Sequence, residues 1–168
     1  MELRRLYLDA NILILLGEGK DERASLLTEL AAGQESSSTP FLCTSELTLA
    51  ELLVKPYRET DDRLIQQYEN WMTPGGFMEI GPVHNSALRY AAVLRAQYRS
   101  IKLPDAIHLS TAIGFGCSHF LSGDTRIPDR VELYHTRWGV TRGPSTMDVL
   151  RPDPDVLRNI IRTRPHLD

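Results

Sequence analysis

Leu6-Tyr7-Leu8-Asp9-Ala10-Asn11-Ile12-Leu13-Ile14, near the amino terminus, is the stretch whose reading decides the fold. Three apolar residues make a short buried strand, and an apolar helical run follows at once. Between them stand a carboxylate and an amide. A carboxylate buried without a partner is strongly disfavoured and tends to take up a proton, so Asp9 needs a cation, a donor or open water beside it. The rest of the chain has to supply one of these.

Working outward, the 168 residues with 42% hydrophobic content suit one ordinary domain, able to bury about 70% of its unfolded surface. The apolar run at 12–16 is far shorter than the ~20 residues of a membrane span. Asp9 and Asn11 stand where a secretory leader would carry basic residues, so a soluble cytoplasmic protein is expected. Cys43 and Cys117 form no Cys-x-x-Cys pair, which points to buried free thiols rather than a disulfide framework or a zinc site. The net charge of -3 argues against nucleic-acid binding by charge alone. That average hides an asymmetry: residues 1–80 carry 7 Lys and Arg against 14 Asp and Glu, and residues 81–168 carry 12 against 8. Sixteen of the 19 basic residues are arginine, whose planar fork suits phosphate.

The periodicity predicts strands at 6–8, 40–44, 77–80 and 118–121, alternating with helices at 12–16, from Asp21 to Gly33, 46–55, from Asp61 or Asp62 to Pro74, 85–99 and from Lys102 to Gly114 or Gly116. Pro56 is expected to end or kink its helix, and 34–39 reads as a surface loop. Further on, 131–134 and 147–150 suit strands, 139–145 a loop and 154–162 a final helix. This alternation predicts an α/β domain around a mostly parallel central sheet flanked by helices, with residues 1–150 as the domain and 151–168 as a helix or tail packed on it or trailing it.

In such sheets the functional crevice lies outside the carboxyl ends of the strands. Asp9 and Asp124 both fall there. Asp105 lies in the first turn of its helix, and Glu51 sits among Leu47, Ala50, Leu52 and Leu53. Each like-charge pair costs about 4 kcal/mol at ~4 Å and an effective dielectric near 20, which a divalent cation would offset. An all-oxygen set without cysteine or paired histidines suits Mg²⁺ or Mn²⁺ better than Zn²⁺.

The runs Leu8-Asp9-Ala10-Asn11-Ile12-Leu13, Ser45 to Leu52, Leu103-Pro104-Asp105-Ala106-Ile107-His108 on to Ala112, and Phe120-Leu121-Ser122-Gly123-Asp124 resemble, in order and spacing, the motifs of PIN domains, in particular the VapC-like ribonuclease toxins. The resemblance runs from about residue 3 to 128. It implies a metal-dependent endoribonuclease in which Asp9, Glu51, Asp105 and Asp124 form the acidic quartet, with Asp9, Asp105 and Asp124 on the metal and Asn11 and Ser122 as polar companions. It further implies a small antitoxin protein as partner and a homodimer, and single-stranded or looped RNA is the substrate expected because a side-chain-lined groove reads splayed bases more easily than a duplex. Residues 129–168 fit the pattern less well, and 138–145 reads as an insertion before a last strand.

Each acid also has a plainer role available. Asp9 could cap the following helix, Glu51 lie on a helix surface, Asp105 serve as a first-turn acid and Asp124 as a turn residue. Glu46 is about 140° around the helix from Glu51 and reads as a first-turn acid outside the site. His108 is expected to be a satisfied core or supporting histidine, Asp129 a loop acid in reserve, and Arg126 and Arg130 either phosphate contacts or solvated loop. The rivals are a silent PIN-like interaction module and an aspartate-nucleophile phosphatase, which Asn11 and the lack of a suitably placed lysine disfavour.

Overall fold

The computed structural model describes residues 2–34 and 40–165. At its centre lies β1 (Leu6–Leu8), buried along its whole length. On one side it pairs in parallel with β2 (Leu42–Ser45), which pairs in parallel with β3 (Glu79–Gly81). On the other side it pairs in parallel with β4 (His119–Leu121). Beyond β4 come β6 (Val140–Leu150), again parallel, and β5 (Arg130–Arg137), joined to β6 as an antiparallel hairpin. The order β3-β2-β1-β4-β6-β5 is the mostly parallel sheet expected. Chain order reverses between β1 and β4, so the switch-point crevice opens beyond their carboxyl ends.

Both faces of the sheet are covered, which is why β1 needs no polar residue. Leu6 and Leu8 enter one core with Leu13, Leu27, Leu42 and Leu121, whereas Tyr7 enters the other with Cys43, Leu109 and Phe120. Successive strand residues point to opposite faces, so a single Leu-Tyr-Leu run nucleates both cores. The first core is roofed by α1 (Ala10–Glu18), α2 (Glu22–Ala32), α5 (Asp62–Trp71) and α8 (Pro154–Thr163), the second by α6 (Asn85–Gln97) and α7 (Leu103–Gly114). Leu157 and Ile160 of α8 are fully buried against the first core, at about 1.5–3 kcal/mol of apolar burial each. Asp21 and Asp61 cap their helices, accepting from the backbone N–H groups of Ala24 and Leu64 at 3.2 and 3.0 Å.

Several expectations need correction. The helix predicted over 46–55 is two, α3 (Leu47–Leu52) and α4 (Val54–Glu59), hinged at Leu53. Pro56 does not end a helix but lies in the first turn of α4, where its missing N–H costs nothing. The segment 139–145 is no loop. From Val140 on it forms the outer part of β6, pairing with the far end of β5 from His135–Arg142 to Arg137–Val140. The two-residue turn Trp138-Gly139 has positive φ at both positions, 54° and 73°, the twist that closes tight hairpins. Gln34 is buried, its Oε1 accepting from the Phe41 N–H at 3.1 Å; the remainder of the predicted 34–39 loop lies outside the described residues. Cys43 and Cys117 are free and buried, with sulfurs 3.0 Å apart. That contact and burial push the Cys43 thiol far above its ordinary value, which keeps it an inert thiol of the core.

Candidate active site

Asp9 follows the last residue of β1 and opens α1. Its Oδ1 accepts from the Ala10 N–H at 2.8 Å, and its Oδ2 accepts from the Ser122 hydroxyl at 2.5 Å and the Asn11 amide at 2.6 Å. The capping role and the site role are therefore compatible in one carboxylate. Burial pushes its pKa above the ordinary range, opposed by His108 nearby and by the Ser122 and Ala10 donors. Asn11 ties the two central strands together. Its amide also reaches Ser122 at 3.1 Å, and its Oδ1 accepts from the Gly123 N–H at 2.9 Å.

Glu51 projects from α3 with its carboxylate about one-third exposed. Behind it stands His108, fully buried, with Nε2 2.6 Å from the Glu51 Oε2 and Nδ1 2.8 Å from the Tyr7 hydroxyl. A carboxylate only accepts, so Nε2 carries a proton toward Glu51, and Nδ1 pairs with the Tyr7 hydroxyl. Burial raises the Tyr7 phenol well above its ordinary value and keeps it a donor. Tyr7, His108 and Glu51 thus form a hydrogen-bonded chain from the core to the cleft. His108 is the supporting residue expected of it. Glu46 lies outside the site, as its helical position implies, accepting from the Val83 N–H at 2.8 Å.

Asp105, in the first turn of α7, has a buried Oδ2 without a hydrogen-bond partner among the described residues. Burial raises its pKa, and the charges of Asp9 and Asp124 raise it further. Asp124 follows β4 and faces Arg126, whose Nε lies 2.9 and 3.0 Å from the two carboxylate oxygens; a second guanidinium nitrogen also bonds Oδ2. The Arg126 backbone N–H also donates to Oδ1 at 2.9 Å. This pairing holds Asp124 below the usual carboxylate range. The turn role is real and sits beside any other. Arg130 is elsewhere, paired with Asp148 at 3.1 Å on the sheet surface.

Asp9, Asn11, Glu51, Asp105, Asp124 and Arg126 line one open cleft of about 730 Å³. The four acids meet there, yet among the described residues no three of them stand in metal-ligand geometry. Ser122 and Asn11 hold Asp9, His108 holds Glu51 and Arg126 holds Asp124. The donor set still fits a hard divalent ion in chemistry, being all oxygen, and the unpartnered Asp105 oxygen supplies the local reason for one.

One organising residue escapes a reading by motif. Arg151 follows β6 and donates to the carbonyls of Asp124 and Ile127 at 2.7 and 2.6 Å and to the Asp129 carboxylate at 2.8 Å. It shapes the loop that presents Asp124 and accounts for Asp129, which points into solvent. The signal was its place directly after the strand predicted at 147–150, and what the sequence lacked was the pairing of that strand with β4.

The PIN domain family model matches residues 6–133. A toxin–antitoxin complex from Klebsiella pneumoniae is similar at 25% identity and TM-score 0.54, covering 72% of this chain and 87% of that one. VapBC2 from Rickettsia felis, solved with a DNA fragment from its promoter, gives 18% and 0.53 over 71% and 87%. VapC20 of Mycobacterium tuberculosis, described as a toxin cleaving the sarcin–ricin loop, gives 18% and 0.53 over 68% and 86%. At 18% these last two speak to the fold alone. A comparison with curated proteins found no match. No helix among the described residues is long and apolar enough to cross a membrane.

Proposed function

Since the chain belongs to the PIN domain family, we propose that it is a metal-dependent endoribonuclease, the toxin of a toxin–antitoxin pair. The observation that carries this reading is the set of four carboxylates lining one cleft at the switch point of the sheet, one of them with a buried oxygen that nothing among the described residues satisfies. Mg²⁺ or Mn²⁺ is the cofactor, and Asp9, Asp105 and Asp124 would hold it. When bound, such an ion polarises a phosphoryl oxygen and makes an attacking water more acidic.

The chain's own residues do the rest. Ser122 and Asn11 fix the Asp9 carboxylate, and the His108 N–H aims Glu51 into the cleft, where it would accept a proton from the attacking water. Asp105, whose pKa is raised by burial and by its acidic neighbours, gains most from a cation and is the main reason one would bind. Arg126, freed from Asp124, would meet a phosphate of the RNA. RNA in a single strand or loop is the substrate class, because bases splayed from a duplex are within reach of a side-chain-lined cleft. A small antitoxin protein and a second copy of the chain are the partners this reading implies, and the K. pneumoniae and R. felis complexes support the first of these.

The test is incubation of the purified protein with mixed RNA and DNA oligonucleotides in EDTA, Mg²⁺ or Mn²⁺, beside Asp9→Asn and Asp105→Asn. RNA cleavage that needs the metal and disappears in both variants is expected. Cleavage that persists in EDTA or in Asp9→Asn sinks the assignment.

A further inference from the structure

The outer part of the β5–β6 hairpin takes no part in the site above. From Thr136 to Thr146 every residue is exposed, and an isolated two-stranded ribbon is only marginally stable in water. Between this arm and α6 runs a groove of about 640 Å³ lined by Arg89, Tyr90, His135, Arg137, Trp138 and Arg142, together with Val93, Thr136 and Val140. It contains three guanidinium groups and no acid. Among the described residues none of the three makes a salt bridge with a carboxylate. Positive charge is therefore concentrated here without counter-charge, in a chain whose net charge is -3.

The tip adds a second, independent feature. Trp138 is 89% exposed and sits at φ 54°, in a turn position where asparagine or glycine closes a hairpin with less strain. A large aromatic held in this backbone region and presented to solvent breaks the local rule without any gain in packing, which is the mark of a surface kept for binding. Arginines that carry phosphates, beside an aromatic face on which bases stack, make up the means by which single strands are held without regard to sequence.

We propose that the groove between α6 and the β5–β6 arm binds a single-stranded segment of nucleic acid, RNA in the reading given above, on which the choice of RNA rests. β6 runs from the arm to the cleft, so the arm grips the substrate remotely. The strand from Val140 to Leu150, at ~3.3 Å per residue, separates the tip from the strand end beside Arg151 by about 33 Å. Only a substrate long enough to span that distance can use both. The arm thus selects for substrate length and for an unpaired flank, while the cleft does the cutting.

The experiment measures binding of a fluorescent 20-nucleotide unstructured RNA, a 4-nucleotide RNA and a 20-base-pair duplex in EDTA, where metal-dependent cleavage is silent. The proteins are the native chain, Trp138→Ala and Arg137→Gln/Arg142→Gln; all these positions are exposed, and melting curves check that the fold is kept. Affinity for the 20-nucleotide RNA is expected to fall at least 5-fold in each variant, with the duplex, whose bases cannot stack on Trp138, losing less in Trp138→Ala. The salt dependence of log K should become shallower by about 1.4 in the double variant, at ~0.7 for each phosphate no longer neutralised. Unchanged affinity for the long RNA in both variants overturns the proposal. So does a change in oligomeric state by light scattering with RNA binding intact, which would make the arm a protein interface. Arm-dependent binding in a protein that cleaves no RNA with Mg²⁺ or Mn²⁺ upholds the groove and defeats the ribonuclease reading instead. Cleavage that is independent of the arm at every RNA length defeats the groove alone.

Discussion

Replacing Asp105 by asparagine is expected to make the metal-free protein more stable at neutral pH while abolishing its stabilisation by Mg²⁺ or Mn²⁺. The Asp105 carboxylate is part-buried, its Oδ2 has no hydrogen-bond partner among the described residues, and Asp9 and Asp124 add like charge. An unsatisfied buried polar group costs about 1–3 kcal/mol, more when charged; partial exposure of this side chain brings the charge-specific cost to about 1–2 kcal/mol. Against that, asparagine forgoes about 0.3–1 kcal/mol of favourable interaction with the amino end of α7. The net gain is about 1 kcal/mol, or roughly 2–4 °C in Tm for a chain of this size. The pH dependence follows from the raised pKa. Above the folded-state value the folded protein carries the full penalty of the charge. As pH falls through that value toward the ordinary ~3.9 of an unfolded aspartate the penalty vanishes, so the advantage of Asp105→Asn should shrink between pH 7 and about 4. Metal reverses the order: at about 100 times Kd the native chain gains ~2.7 kcal/mol and the variant nothing. Differential scanning calorimetry in EDTA at several pH values, then with Mn²⁺, reads all three effects. A variant that melts below the native protein in EDTA at pH 7.5, or one that gains as much from Mn²⁺, would refute the reasoning.

Three further outcomes are expected. His108→Phe leaves the Tyr7 hydroxyl unpaired in the core and Glu51 unheld, so chemical denaturation should show destabilisation of about 2–3 kcal/mol, with kcat on RNA falling more than KM rises. Arg126→Ala removes the cation that competes for Asp124; titration calorimetry should find tighter Mn²⁺ binding, and steady-state kinetics a higher KM for RNA because one phosphate is left without its guanidinium. Leu157→Ala, emptying a fully buried site under α8, should cost about 2–5 kcal/mol by urea titration while leaving kcat near the native value below the melting temperature.

The inner strands were legible because local and global signals agree there. Leu6-Tyr7-Leu8 is apolar on both faces, as a strand covered by two helical layers must be, and Asp21 and Asp61 announce helices that they do cap. The outer hairpin was not legible: Gly139, Gly143, Pro144 and the neighbouring threonines have the composition of a loop, and only the ladder from Arg130–Asp148 to Arg137–Val140 makes them strand. Tertiary pairing overrode propensity. At the site, chain position located each acid at a strand or helix end. It could not reveal what each acid bonds. Asp9 is held by Ser122 and Asn11, Glu51 meets a histidine 57 residues away, and Asp124 turns back on Arg126, so three of the four acids are held by other side chains and only Asp105 is not.

Arg151 gives the carboxyl-terminal region a further meaning. The recognisable family segment ends at residue 133, yet the guanidinium that shapes the loop bearing Asp124 comes from beyond it, and α8 completes the core under β1. A fragment cut at the family boundary would keep all four acids and lose the brace that presents one of them. The unit that can be inherited, swapped or expressed on its own is therefore longer than the unit that can be recognised, and grafting residues 6–133 onto another scaffold would carry over the signature of the site without its support.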